Sequence, residues 1–205
     1  MATPRLTQCK FTLEEITPDD ILNITAVWFR AFSTPGNREL FPDTPGVRDW
    51  WNKATLYDLL NRPFQKYLKV IDPAHPDEII AYGKWDLDPD ACGERFPPWH
   101  TESNAELCNQ FFGGIECQRR NLMRGRKHYY LDMLATNPDH QRQGAASLLV
   151  QWGCALADRT GAAIYIASSD QGAGLYRKFG FSLLDGLDDT PKGVSPMVRA
   201  PMLMN

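Results

Sequence analysis

The chain has 205 residues, 43% of them hydrophobic in type and 23% charged, with a formal net charge of −3. That length supports one well-buried core and is short for two, and a slightly acidic balance does not suit a protein whose main task is to neutralise nucleic-acid phosphates. Five cysteines (Cys9, Cys92, Cys108, Cys117 and Cys154) form an odd set with no Cys-x-x-Cys pair and no histidine at ligand spacing, which argues against a disulfide framework and a metal centre.

The first residues lack the apolar stretch of a signal peptide, and no run of about 18 apolar residues occurs anywhere, so the expectation is a soluble, cytoplasmic protein with no membrane partner. Residues 7–13 alternate weakly and predict a first strand. Thr17 then supplies an N-cap, Pro18 a rigid first helical position, and Asp19 and Asp20 the negative charge that a helix start favours. Ile21, Ile24, Trp28 and Phe32 keep helical spacing, and the turn formers from Ser33 to Asn37 predict the end of that helix. A second amphipathic helix is predicted over 47–61, with Trp50, Ala54, Tyr57 and Leu60 as its apolar stripe. Strands follow at 66–72 and 79–87, joined by a turn through Pro73 to Asp77.

From 88 to 127 the chain is longer than a plain strand connection needs. It opens with Phe96-Pro97-Pro98-Trp99 and continues with Leu107, Phe111 and Ile115 at helical intervals, with Gly113-Gly114 weakening the continuity of that helix. Insertions of this kind serve as lids, binding elements or partner surfaces. Its end, with Arg119, Arg120, Arg124, Arg126, Lys127 and His128, is a local basic exception that a solvated face also explains. Strand 128–136, helix 142–160 with Ala145, Leu148, Leu149, Trp152 and Leu156 as its stripe, strand 163–168, helix 171–179 and strands near 180–186 and 196–203 complete a mixed α/β order, read as one domain over 1–205.

The passage from strand 128–136 into the next helix carries the strongest chemical signal. Pro138 and Asp139 stop the strand, and Gly144, Ala145 and Ala146 leave the first-turn N–H groups of the helix bare, so an anion can approach donors that no intrahelical carbonyl satisfies. The Gly-Lys-Ser/Thr ending of a Walker loop and the three spaced glycines of a dinucleotide fingerprint are both missing.

Gln141, Gly144 and Ala146 fill the Gln/Arg-x-x-Gly-x-Gly/Ala pattern, and Leu175-Tyr176-Arg177-Lys178-Phe179-Gly180-Phe181 fills a Leu-Tyr-x-x-x-Gly-Phe segment one helix, one strand and one short helix later. In these two spaced motifs the chain resembles the GCN5-related N-acetyltransferases, the GNAT superfamily. The stretches Tyr130 to Thr136, Trp152 to Asp158 and Tyr165 to Gly172 further resemble a branch common in filamentous fungi. The likeness is close over 128–186 and in outline only over the first hundred residues. It implies a twisted mixed sheet whose central strands splay to admit the pantetheine arm of acetyl-coenzyme A as co-substrate. The backbone of Leu134, Ala135 and Thr136 would pair with that arm, and the amides from Arg142 through Gln143, Gly144, Ala145 and Ala146 to Ser147 would hold the diphosphate. The Arg142 side chain would add a charge-assisted contact of roughly 1.5–3 kcal/mol or would stand free as an exposed arginine.

Acetyl transfer to an amine needs a neutral nitrogen and a proton for the departing thiolate. An alkylamine with a pKa of about 10.4 is protonated at neutral pH, so a base or a desolvating pocket must act on it. Asp132 is the leading base, because alternation puts Tyr130, Asp132, Leu134 and Thr136 on one strand face; Tyr130 ranks second, and a purely structural aspartate paired with an arginine is the alternative. Tyr176 matches the superfamily's general acid, its alternative being a core tyrosine beside Phe179 and Phe181. Two departures stand out: Ser169 replaces the usual asparagine seven residues before the tyrosine, and Ala167 replaces the glutamate often found in the fungal branch. His100 and His128 are competing bases, while His75 and His140 read as turn residues. Trp28, Phe29, Trp85 and Trp99 either line an acceptor pocket or fill the core.

The resemblance therefore implies an N-acetyltransferase acting directly on the primary amine of a small molecule, with no metal and no nucleic acid. A protein lysine or N-terminal acceptor, O-acylation, a non-catalytic regulator that binds acyl-coenzyme A, and assembly as a homodimer stay open.

Overall fold

The computed structural model describes residues 10–91, 93–184 and 191–202. Cys9, Cys92 and the outer ends of the strands expected at 7–13, 180–186 and 196–203 lie outside them. The elements run β1 (Thr12–Glu15), α1 (Ile21–Ala31), α2 (Pro35–Leu40), α3 (Pro45–Asn61), β2 (Gln65–Asp72), β3 (His75–Asp86), α4 (Ala105–Met123), β4 (His128–Thr136), α5 (Ala145–Thr160), β5 (Ala163–Ser168), α6 (Asp170–Lys178), β6 (Ser182–Leu183) and β7 (Ser195–Arg199). Seven strands form one twisted mixed sheet in the order β1-β2-β3-β4-β5-β7-β6, antiparallel except for the β4–β5 pair. Helices α1 to α4 cover one face and α5 and α6 the other, each over its own apolar cluster.

Local chemistry accounts for most boundaries. Thr17 and Asp20 form a capping box ahead of α1, and the pairs Thr34-Pro35 and Thr44-Pro45 open α2 and α3 with a hydroxyl cap followed by a proline whose missing N–H costs nothing there. The turn expected over Ser33 to Asn37 is thus the start of a further short helix. The β2–β3 turn needs only Pro73 and Ala74, so β3 begins at His75, earlier than expected. Helix α4 runs unbroken through Gly113-Gly114, where Gly114 faces Pro191 closely enough that a Cβ would lie 2.8 Å from the ring. Close approach explains that glycine.

Two predicted stripes are displaced. On α3, Tyr57 and Leu60 are exposed, and the inward face is Val47, Trp50, Thr55 and Asp58. Spacings of three, four and four from Val47 through Trp50 and Ala54 lead to Asp58, so the true stripe ends on a carboxylate that hydrophobicity alone passes over. On α5, the centre of contact is Ala145, Leu149, Val150, Gly153, Cys154 and Ala157, with Leu148, Trp152 and Leu156 at its margins. The fully buried Trp85 indole lies directly against Gly153, where a Cβ would collide with the ring's Cζ2.

Gly153→Ala gains about 1 kcal/mol in helix propensity but overpacks this contact by roughly 1–3 kcal/mol. A net fall in Tm is expected by thermal unfolding, recovered in Gly153→Ala with Trp85→Phe; an unchanged Tm for the single variant would contradict the packing.

Candidate active site

Pairing between the parallel strands β4 and β5 is confined to His128–Ala163, Tyr129–Ile164 and Tyr130–Tyr165. Beyond it β4 pairs with β3 and β5 with β7, so the main chain of 132–136 and of 166–168 faces a gap between two diverging strands. Among the described residues no strand satisfies the polar groups of that edge, which leaves a template for an extended ligand.

The register of β3 on β4 jumps at the same place. Trp85 stands opposite Leu131 and Lys84 opposite Met133, so Asp132 is the extra residue of a bulge. Tyr130, Asp132, Met133 and Ala135 consequently face the α1–α4 side, whereas Leu134 packs with the α5 cluster and Thr136 lies opposite Ala81 of that cluster. The single face expected for Tyr130, Asp132, Leu134 and Thr136 is broken after Asp132, because an inserted residue reverses the alternation.

After β4, Asn137 caps a short 3-10 turn from Pro138 to His140, Arg142 is left-handed at φ 64° and Gly144 at φ 96°, and α5 starts at Ala145. Ser147 and Leu148 donate to the Gly144 carbonyl, but among the described residues nothing accepts from the N–H groups of Arg142, Gln143, Gly144, Ala145 or Ala146. The left-handed turns curl these donors into a concave nest at the positive end of α5. The side chains of Gln141, Arg142 and Gln143 are exposed, with Gln143 accepting from Lys10 at 2.6 Å.

Tyr176 is buried on α6 beside the end of β5: a Cβ on Gly172 would stand 3.0 Å from its ring and 3.3 Å from Ser168 Oγ. Burial pushes its phenol well above the usual value, so the hydroxyl stays protonated, and no described residue hydrogen-bonds it. Ser169 caps α6 by accepting from Gly172 N–H, which leaves its own hydroxyl hydrogen to donate.

On the other face a cavity of about 780 Å³ opens between α3, the 88–104 connection, α4 and the sheet, with Asp132 and Met133 in its floor. Beneath it lies a buried chain of charge. Lys84 reaches Asp58 at 2.8 Å and Asp132 at 3.1 Å, Arg62 reaches Asp58 at 3.0 Å, and Tyr67 donates to Asp58 at 2.7 Å. Arg95, from the connection, meets Asp86 at 3.0 Å, Asp132 at 3.4 Å and Glu116 at 3.7 Å. Burial pushes the Asp132 carboxyl up, but Lys84 and Arg95 more than offset that and hold it below the ordinary carboxylate range. Burial likewise acts to lower the Lys84 ammonium, and the surrounding phenol and carboxylates reverse it. Asp58, Lys84, Arg95 and Glu116 were not anticipated; the legible signal was a lone lysine inside the apolar run Ile79 to Trp85, facing the Asp58 end of the α3 stripe.

The histidines stand away from this floor. Burial, offset in part by the Arg126 carbonyl that its Nδ1 meets at 2.7 Å, lowers His128, whose Nε2 lies 2.7 Å from Arg119. His100 sits against Gly46 and Glu102, and His140 meets Glu78 at 2.9 Å. The basic run is absorbed structurally, with Arg119 fully buried on Glu116, Asp90 and His128, and Arg126 on the Leu122 carbonyl. Trp28, Phe29 and Trp85 are core, and the aromatic cavity wall is instead Trp50, Trp51, Phe96 and Phe112. Among the described residues no cluster of three or more His, Cys, Asp or Glu could hold a metal, and no helix is long and apolar enough to cross a membrane.

A mixed sheet that splays beside a nest of unsatisfied amides is an arrangement for holding an acyl-coenzyme A. Residues 53–181 match the model of the acetyltransferase (GNAT) family, and the chain belongs to that family, whose co-substrate is acetyl-coenzyme A. No curated protein matches the sequence. Among solved structures it is similar to the "histone acetyltransferase HPA2 and related acetyltransferase" of Corynebacterium glutamicum, at 20% identity and TM-score 0.62 over 96% of this chain and 99% of the other. It is similar also to the PaiA N-acetyltransferase of Thermoplasma acidophilum in complex with coenzyme A, at 10% identity and TM-score 0.56 over 94% and 99%. A third is the ribosomal-protein-S18-alanine N-acetyltransferase of Escherichia coli, at 12% and TM-score 0.57 over 95% and 96%. At such identities the likeness is one of fold.

Removing Lys84 leaves Asp58 and Asp132 facing each other in a buried site, so Lys84→Ala is expected to lose roughly 3–5 kcal/mol in denaturant unfolding, most of it regained by adding Asp58→Asn. Stability should also fall in two stages on acidification. The depressed His128 lets the unfolded chain take up a proton first below about pH 6.5, and the depressed Asp132 and Glu116 add their loss as pH drops through their folded values, below about 4. Melting temperature against pH reads both stages, and His128→Gln should erase only the first.

Proposed function

We propose that this enzyme transfers the acetyl group of acetyl-coenzyme A directly to the primary amine of a small molecule. One observation carries the reading: the gap between β4 and β5 and the cavity beneath α3 meet at a single bulged residue, Asp132. A ligand extended along the 134–136 edge and an acceptor in the cavity would reach each other there.

In this reading the N–H groups from Arg142 to Ala146 hold the diphosphate, the Ser147 N–H expected to join them being taken by the Gly144 carbonyl, with Gln141 shaping the turn, and the backbone of Leu134, Ala135 and Thr136 orients the arm. Only main chain is needed for both, which explains why exposed side chains suffice at Gln141 and Gln143. The bound co-substrate supplies an acetyl thioester. Ser169 donates its remaining hydroxyl hydrogen to the arm. Tyr176, protonated and without a hydrogen-bond partner among the described residues, delivers the proton to sulfur. Asp132, held ionised by two cations, is a weak base but a strong acceptor, and it takes a hydrogen bond from the amine so that the lone pair points at the thioester; Tyr130, buried beside it under Arg95 at 4.9 Å, shapes the floor. A small acceptor is favoured over a protein tail because Ala91 and the stretch from Glu94 to Pro98 form one wall of the cavity.

Isothermal calorimetry with acetyl-coenzyme A and thiol release across an acceptor panel test the proposal. Tyr176→Phe should lower kcat by about 10²–10⁴ with cofactor Kd kept, and the wild-type profile should show no alkaline fall before the ordinary phenol value of about 10. Gly144→Val, which forces a side chain into φ 96°, should weaken cofactor binding instead. A lysine peptide outperforming every small amine would reverse the choice of acceptor.

A further inference from the structure

We infer that the acceptor is a weakly basic aromatic amine, its amino group carried directly on a flat ring that lies between Trp51 and Phe96 with the nitrogen at Asp132. The inference rests on the acetyltransferase reading and specifies its second substrate. Two independent features of the cavity support it.

The first is the wall. Trp50 and Trp51 of α3, Phe96 and Pro97 of the connection and Phe112 of α4 line the cavity together. These rings are braced by one another, with Trp50–Trp51 centroids at 5.4 Å, Phe96–Phe112 at 4.9 Å and Trp51–Trp28 at 4.7 Å, so they form a stiff slot rather than an adaptable patch. Stiff aromatic faces favour a planar guest, which gains stacking and edge contacts at little entropic cost.

The second is the charge inventory. The lining holds Lys53, Arg62, Lys84 and Arg95 against Asp58, Glu94 and Asp132. Both buried carboxylates are already paired, Asp58 with Lys84 and Arg62, Asp132 with Lys84 and Arg95. Glu94 and Lys53 are exposed at the rim, Lys53 in an ion pair with Asp49 at 2.7 Å, and the lining phenols are Tyr57, Tyr67 and Tyr82. Among the described residues no histidine or cysteine lines the cavity. A polyamine or a lysine side chain would bring positive charge to a lining where cations already outnumber carboxylates. An alkylamine would also arrive as ammonium, with less than about one part in 10³ neutral at pH 7, and among the described lining residues both buried carboxylates are already engaged by cations and no histidine stands ready to take its proton. An arylamine lone pair is delocalised into its ring, so the nitrogen arrives neutral and needs no base before attack.

The step balances with the groups named. The nitrogen lone pair forms the N–C bond to the acetyl carbon, the C–S bond breaks with its electron pair on sulfur, Tyr176 gives sulfur a proton, and the proton shed by nitrogen leaves through the open cavity to water, from which Tyr176 is recharged.

The test compares aniline and 2-aminonaphthalene with phenethylamine, spermidine and a lysine peptide by thiol release from pH 6 to pH 9, beside calorimetry with acetyl-coenzyme A. The expected result is that kcat/KM for the arylamines is flat with pH and exceeds that of phenethylamine roughly 10²-fold at pH 7, while phenethylamine climbs about tenfold per unit as its neutral fraction grows. Naphthalene, which cannot react, should quench tryptophan fluorescence in the wild type, and Trp51→Ala should lose that quenching and raise arylamine KM about tenfold with cofactor Kd unchanged, whereas Trp51→Phe keeps most of both. Phenethylamine, spermidine or the peptide preferred at pH 7, or a pH profile showing an enzyme base near neutrality, overturns the inference and leaves the acetyltransferase reading standing. No heat with acetyl-coenzyme A brings down that reading and this inference with it.

Discussion

Everything that makes this sheet a site follows from where backbone pairing between β4 and β5 stops. Three paired positions hold the parallel strands together at their N-terminal ends; after Tyr130 and Tyr165 the strands part. Buried main-chain polar groups need partners, and here a run of them waits on one edge of β4 while the sheet continues intact on the other. The gap is therefore an opening between β4 and β5 lined by main-chain donors and acceptors of β4. The bulge at Asp132 lies at the same level on the β3 side of β4, where the extra residue shifts the register without ending the pairing and turns a carboxylate toward the cavity.

The buried charges are the second consequence. Lys84 and Asp132 project toward α3 from neighbouring strands, and Asp58 comes to meet them from the helix, with Arg95 reaching in from the connection. Breaking such a network strands an unpaired charge in a poor dielectric, although a well-packed apolar core in its place would be no less stable. Its presence under the cavity is thus better explained by chemistry than by stability: it fixes one ionised carboxylate at one position and leaves it no freedom to move. It also ties the insertion to the sheet, because Arg95 joins Asp86 of β3, Asp132 of β4 and Glu116 of α4.

Opposite faces of the sheet divide the labour. On the α5 side, Gly153 against Trp85 and the small residues of the helix start bring α5 close over the strands, so its N-terminus sits beside the end of β4. On the α1–α4 side, aromatic residues braced by one another leave a rigid slot. Asp132 lies at the boundary, and Tyr176 approaches from the far side at the end of β5.

The amino-acid sequence by itself determined the order of elements apart from the short α2, the bounds of β4 and β5, and the nest at Arg142 to Ala146, because these are local: period, cap, turn and glycine act within a few residues of one another. The family was legible from two spaced motifs, one of which carries Tyr176, while Asp132 was singled out by strand alternation. The bulge, the face on which Leu134 lies, the inward turn of Asp58 and the pairing of Lys84 and Arg95 with Asp132 were decided only in the tertiary structure. Each depends on which residues stand opposite across strands or helices distant in sequence, and neither alternation nor hydrophobic period carries that information: a one-residue insertion reverses a strand's faces, and a buried charge is tolerated only once its partner, from another element, has arrived.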